Sequence, residues 1–400
     1  MTVPTLSSWS VTGVRQALDA HEQGDFSSSA MLAEHMERNP RVYAAINTRV
    51  KGATGLPFSV EPDASAPAAK GKRLAAELLS VWYTRFPEQV LADLLRWAVL
   101  LGVAFAEVVW KTANGVWIPT LRVVHPYWVY YDDHRAQYMV QTAQGVVPIT
   151  PGDGWMVFGY ASERPWMRGV VRCLGIENHI RALAVRDWAR WSEVHGLPIR
   201  KAVVPAQASD ADKDRYFDEV AALGSETTVV TPRGSEEGNR FDLELVEAKD
   251  TGWEGFSRLI ELSASDVAIA TLGQNLTSEV GSGSLAAAKV HDRVRQDYLE
   301  DDTQTLATAL HEQVLVPEAR FNHGDDRLAA WPCWDASTPE DRTATATTWK
   351  AAGEAAAAWN TALAPQGKGV DLVALADRWG VPLRDVAAVA PVEKDPTDAP

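Results

Sequence analysis

The chain has 400 residues, 46% of them hydrophobic, and a formal net charge of −15. That is enough apolar material for a substantial core in two or three domains. The acidic balance, without a run of five or more Lys or Arg, excludes attraction of nucleic acid through the overall field of the molecule.

No apolar run reaches the ~18 residues of a membrane-spanning helix; the most apolar stretch, Val99 to Trp110, contains Glu107. The opening Met1-Thr2-Val3-Pro4 lacks the basic and apolar regions of a signal peptide, so the chain is expected to stay in the cytoplasm. Two distant cysteines, Cys173 and Cys333, exclude a disulfide framework and a cysteine zinc site. The 16 tryptophans supply large apolar area, which suits either a core or the contacts between subunits.

The hydrophobic spacing predicts helix over residues 12 to 38, broken at Gly24-Asp25, and a second start at Asn39-Pro40 running to Val50. A short strand, Leu56 to Val60, precedes a Pro/Ala/Asp-rich loop from Glu61 to Lys70. Helices are expected from Lys72 to Phe86 and from Pro87 to Leu101, the latter with Leu91, Leu94, Leu95, Ala98 and Leu101 on one side. Asn114-Gly115 between two β-rich runs, Ala104 to Lys111 and Val116 to Val124, is a hairpin signal. Further short strands up to Val157-Phe158 complete a first α+β domain of about 165 residues.

A long helix is predicted from Val170 to His195 with Ile180, Ala184, Trp188 and Trp191 as its apolar stripe, ended by Gly196-Leu197-Pro198. A compact insert follows: strand 199–204, helix 210–223, strand 227–231 and strand 241–246. The second long helix, Thr251 to Leu272, carries Trp253, Phe256, Ile260 and Val267 on one side. After a polar Gly/Ser loop, Gly273 to Gly283, Ser284 should cap the longest helix, Leu285 to Val316, closed by Pro317. At 1.5 Å per residue it would reach roughly 48 Å. Its expected stripe is Val290, Val294, Tyr298, Leu306, Leu310 and Val314. Trp331-Pro332-Cys333-Trp334 reads as loop, Thr338-Pro339 as the start of an alanine-rich helix to about Leu363, and 372–379 as a last helix. The tail from Pro391 reads as disordered.

Motifs for chemistry are incomplete. Gly281-Ser282-Gly283-Ser284 precedes a helix, yet there is no GxxxxGK[ST], and a dinucleotide fingerprint would need glycine where Ala286 stands. His311-Glu312 begins like a zincin motif, but Leu315 occupies the position of the second ligand. Asp297, Glu300, Asp301 and Asp302 read as a solvated helix face in preference to a magnesium site, and Asp132-Asp133-His134 as a turn in preference to a metal site. No catalytic set, metal or cofactor is expected.

The order of elements is the more informative signal. Leu272-Gly273-Gln274-Asn275-Leu276-Thr277-Ser278-Glu279-Val280-Gly281-Ser282-Gly283-Ser284, followed by Lys289-Val290-His291 and Val294-Arg295, closely resembles the most distinctive stretch of the Mu-like phage portal proteins. Arg186-Asp187-Trp188, Glu193 to Pro198, Arg38 to Val42 and Thr48-Arg49 resemble other parts of that family. The similarity of pattern covers about residues 30 to 325, and the C-terminal region departs from it.

The resemblance implies an α+β, mainly helical portal fold. Its regions would be a wing (1–169), a first stem helix (170–196), a clip (197–249), a second stem helix (250–272), a tunnel loop (273–284), a tunnel helix returning to the wing (285–334), a crown (335–390) and a tail (391–400). It further implies a homo-oligomeric ring, usually of twelve subunits, at one capsid vertex. Double-stranded DNA would pass through it, and large terminase, major capsid protein and a head-tail adaptor would be its partners. Gln274, Asn275, Thr277, Ser278, Ser282 and Ser284 would face the channel as neutral partners for phosphate, with Lys289 able to touch it. An acidic chain is compatible with this role, because a basic sleeve would grip the duplex by counterion release instead of letting it slide. The rival expectations are another phage-derived head-tail structural protein, such as an adaptor, and a nucleotide-dependent enzyme.

Overall fold

The computed structural model describes residues 9–160, 162–195, 199–205, 207–221, 242–246, 252–274, 285–336 and 342–378. The fold is mixed α+β and mainly helical, in two compact units divided between Ala336 and Ser337.

The first unit opens with helices α1 (Val11–Glu22), α2 (Ser27–Met36) and α3 (Pro40–Thr54). The Ser10 hydroxyl caps α1 by accepting from the Gly13 N–H at 3.1 Å, and Asn39 caps α3 by accepting from the Arg41 N–H at 3.0 Å, with Pro40 in its first turn. Strand β1 (Phe58–Pro62), helices α4 (Ala68–Arg85) and α5 (Glu88–Leu101), and the hairpin β2 (Val103–Ala113) and β3 (Val116–Val124) come next. Asn114 and Gly115 both take positive φ, 51° and 78°, as a two-residue hairpin turn twisted to match its strands requires. Short strands β4 (Val129–Asp132), β5 (Gln137–Thr142), β6 (Gly145–Ile149) and β7 (Trp155–Gly159) complete this region.

The long helix α6 (Val171–His195) leads to β8 (Ile199–Val203), α7 (Asp210–Ala221) and β9 (Asp242–Val246), and β8 and β9 pair antiparallel. The predicted strand at 227–231 lies outside the described residues. Beyond the insert lie α8 (Gly252–Leu272), α9 (Leu285–Leu310), one turn of π-helix (His311–Leu315), α10 (Val316–His323) and β10 (Ala330–Trp334). The second unit holds α11 (Arg342–Leu363) and α12 (Leu372–Arg378). The expected cap Thr338-Pro339 and the tail from Pro391 lie outside the described residues.

Three expectations need correction. Trp331-Pro332-Cys333-Trp334 is not loop: β10 pairs antiparallel with β1, Pro332 opposite Val60. A two-stranded sheet leaves each strand an open edge, where a proline without N–H is tolerated. Pro317 does not close the long helix, which widens into the π-turn and restarts at Val316. Pro317 then sits in a first turn, where its missing donor costs nothing. On α6, Ile180 is exposed; the buried positions are Val171, Leu174, Gly175, Asn178 and Ala184, set by the neighbours α1, α2, α5 and α8.

The main core joins α1 to α5, the sheet β3-β2-β7, the first turns of α6, the last turns of α8, and α9 to α10. All five predicted apolar positions of α5 are buried. A smaller aromatic core, with Phe26, Phe105 and Trp166, lies under the sheet β4-β5-β6. Beside it His21 is fully enclosed: its Nε2 donates to the Trp166 carbonyl and its Nδ1 accepts from the Ser29 hydroxyl, both at 2.8 Å. A carbonyl can only accept, which fixes this tautomer.

One helical tract holds both outer strands of the sheet β3-β2-β7. The Gln313 amide donates to the Val157 carbonyl at 3.0 Å and accepts from its N–H at 2.8 Å. Asn322 does the same for Trp117, both bonds at 2.8 Å. Each amide occupies the edge as a neighbouring strand would, which blocks further pairing there.

Candidate functional site

The segment singled out by the sequence leaves α8 at a junction of three helices. The last turns of α8 are buried through Val267, Ala268, Thr271 and Leu272, against α3 on one side and α9 on another. Gly273 then takes φ +72°, and its N–H bonds to the Ile269 carbonyl at 3.0 Å, a left-handed helix stop. A Cβ here would lie 2.5 Å from Cε2 of Tyr298 on α9, so glycine is required by contact as well as by conformation.

At the centre of the junction stands Arg49 of α3, only 6% exposed. Its Nε donates to Oδ2 of Asp302 at 2.7 Å and its Nη2 to Oδ1 at 2.8 Å, a two-pronged pair with a carboxylate that is 1% exposed. The Tyr160 hydroxyl donates to Asp302 Oδ1 at 2.6 Å and accepts from Arg49 Nη2 at 3.2 Å. The remaining nitrogen, Nη1, donates to the Thr271 carbonyl at 3.1 Å. Tyr298 lays its ring 4.6 Å from the guanidinium carbon, within cation–π range. Burial opposes the charge on Arg49, but Tyr160 and Asp302 outweigh it and the group is held more firmly protonated than usual. Burial, then the field of Asp302, raises Tyr160 well above the ordinary phenol range, so it stays a hydroxyl donor.

The structure places the expected contact residues unequally. Gln274 is corrected: it is 4% exposed, packed at the end of α8, and is not a surface group of this chain. Gly273 is part of the packed helix stop. Asn275, Thr277, Ser278, Ser282 and Ser284 lie outside the described residues. Lys289 lies in the early turns of α9, and its side chain is outside the described ones.

Asp297, Glu300 and Asp301 are on the surface of α9 as expected, whereas Asp302 faces inward to Arg49. No group of three His, Cys, Asp or Glu side chains able to hold a metal occurs among the described residues. His311 stacks on Trp331 at 3.7 Å and bonds through Nδ1 to the Ala330 carbonyl at 3.0 Å, a packing role. Asp132 accepts from the N–H groups of His134 and Arg135, which makes Asp132-Asp133-His134 a turn.

The sequence reading missed the junction, yet its signal was present. Val42, Ala45, Ile46, Val50 and Ala53 form the buried stripe of α3, and Arg49 falls on it. Leu299, Thr303, Leu306 and Leu310 do the same for α9, with Asp302 among them. A lone charge on each of two apolar stripes predicts that the two charges meet.

Comparison with known proteins settles the family. A sequence model described as the portal protein of Mu bacteriophage matches residues 30–367. The chain belongs to this family. It is 26% identical over 320 residues to the Mu-like prophage FluMu protein gp29 of Haemophilus influenzae, covering 76% of this chain and 59% of that protein. It is 25% identical over 323 residues to the portal protein of Escherichia phage Mu, covering 77% and 60%. The chain thus spans about 60% of the length of these two curated relatives.

Among solved structures, a chain in the neck of an empty gene transfer agent particle computed with C6 symmetry superposes with a TM-score of 0.58 at 12% identity. The match covers 81% of this chain and 89% of that one. A chain in the neck of the native particle computed with C12 symmetry gives 0.55 at 12% identity, covering 92% and 94%. At that identity the likeness is one of fold.

Proposed function

We propose that the chain is a structural, non-enzymatic portal subunit that assembles, most simply as twelve copies, into a ring at one capsid vertex, and that double-stranded DNA passes through the ring during packaging and ejection. The family match over residues 30–367 carries this reading, because it spans both long helices, the insert between them and the three-helix junction. The symmetric necks that contain the fold relatives support the ring.

In this reading α6 and α8 are the stem, and the β8-α7-β9 insert is the clip that docks large terminase and later a head-tail adaptor. Residues 1–169 are the wing that meets the major capsid protein, and 335–390 the crown. The segment after Gln274 reaches the channel. Asn275, Thr277, Ser278, Ser282 and Ser284 offer neutral hydrogen-bond partners to phosphate, which position a duplex without reading its sequence, and Lys289 adds a single charge near their far end. Gln274 is excluded from that set by its burial. Assembly would take place in the host cytoplasm and the finished ring would reside in the virion.

A photo-crosslinking residue at position 278, in particles assembled with this chain, tests the reading. Cross-links to packaged DNA without sequence preference, and none from the same probe at position 133, are expected. DNA-filled particles without a cross-link at 278 would contradict the channel assignment.

A further inference from the structure

The contacts of Arg49 divide into a fixed part and a single outlying part. Nε and Nη2 are bound to Asp302 and Tyr160 at 2.7 to 3.2 Å, and those partners belong to α9 and to the residue just after β7. Only Nη1, at 3.1 Å from the Thr271 carbonyl, reaches α8. With α8 ending at Leu272, that carbonyl belongs to the last turn, whose acceptors have no partner within their own helix and carry the negative end of its dipole. A guanidinium supplied from α3 therefore caps α8 from outside.

We propose that Arg49 is the positioning residue for the end of α8: held rigid by Asp302 and Tyr160, its hydrogen bond to the Thr271 carbonyl adds a polar fix to the apolar packing of Val267, Ala268 and Leu272 where the chain leaves α8. The inference rests on the portal reading for its consequence in DNA passage, and on the junction alone for its mechanics. Tyr298 completes the device, since the same ring lies on the Arg49 guanidinium and against Gly273. The hydroxyl of Thr271, fully buried, has no hydrogen-bond partner among the described residues, so the docked position leaves one polar group unsatisfied.

The chemistry of arginine is specific to this task. Its planar fork can present two nitrogens to a carboxylate while a third points elsewhere, whereas lysine offers one ammonium on a flexible stem. Arg49→Lys should keep the charge opposite Asp302 and lose the arm to Thr271. The experiment is hydrogen exchange read by mass spectrometry on the full-length assembled protein, together with the DNA content of particles built from it. Arg49→Lys is expected to retain wild-type assembly mass and melting temperature within a few degrees. Exchange in peptides covering 268–274 should rise about tenfold, exchange over 299–310 should be unchanged, and packaged DNA should fall.

Two further variants keep the test decisive. Gly273→Ala drives a methyl group toward the Tyr298 ring that also lies on Arg49, and should raise exchange at 268–274 while the pairing of Arg49 with Asp302 is kept. The double variant Arg49→Met with Asp302→Leu replaces the buried pair by apolar groups, preserves a packed core, and should show the same local rise. Unchanged exchange at 268–274 in folded Arg49→Lys and in the double variant would overturn the proposal. So would a local rise accompanied by wild-type DNA content. Failure of the portal reading itself would be seen separately, as wild-type protein that neither forms a ring nor supports packaging.

Discussion

Asp302 and Arg49 show how much a single pair can decide. Each is buried, and removing one partner strands the other's charge away from water, which costs roughly 3–5 kcal/mol. Asp302→Leu alone should therefore lower stability by about that amount, and adding Arg49→Met should restore most of it, measured as denaturation midpoints of both single variants and the double against wild type. Full additivity of the two single changes would refute the direct coupling seen here. His21 makes a pH-dependent contribution of defined sign. Burial, opposed by its bond to the Trp166 carbonyl, lowers it from the usual 6.5 to about 4. Above pH 6.5 the ring is neutral folded or unfolded. Between 6.5 and about 4 the unfolded chain takes up a proton that the folded one refuses, so stability falls across this window by about 3 kcal/mol and the slope from this group vanishes below it. His35 and His311 are lowered too, chiefly by burial, and add slope of the same sign. His21→Leu should be less stable throughout but titrate with a shallower slope in urea midpoints measured from pH 7 to pH 4. An unchanged slope would assign the effect elsewhere.

At the scale of elements, the amide brackets make the clearest prediction. Gln313→Leu would leave the Val157 N–H and carbonyl without their partners, and Asn322→Leu would do the same at Trp117. Of the two strands, β7 is the more enclosed, so Gln313→Leu is expected to cost about 2 kcal/mol and Asn322→Leu less, because Trp117 is open to water. Chemical denaturation of both variants checks the order, and equal losses would contradict it. The helices and the Asn114-Gly115 hairpin were legible because their signals are local: caps, spacing and turn residues within a few positions. The pairing of β1 with β10 joins segments about 270 residues apart, and Pro332 in the second argues against a strand when read alone. Pro317 misled for a related reason: proline forbids an ordinary α-helical bond to residue 313, and the chain answers with a π-turn, not a stop. The polar segment after α8 was legible as a family signature, but the burial of Gln274 is a tertiary property that no local signal in the sequence carries.

For the whole molecule, a surface feature of the long helices bears on assembly. Leu259, Leu262 and Ile269 on α8, and Ile180 and Val185 on α6, are exposed in the single chain, Leu262 to 60%. A ring of copies would give these apolar side chains neighbours. The measurement that bears most directly on this account is an electron-microscopic reconstruction of the purified full-length assembly, locating residues 275–284 relative to its symmetry axis. The account predicts a closed ring in which those residues from every copy surround an axial channel wide enough for a DNA duplex. A monomer, or a closed assembly in which they lie on the periphery away from the axis, would contradict it.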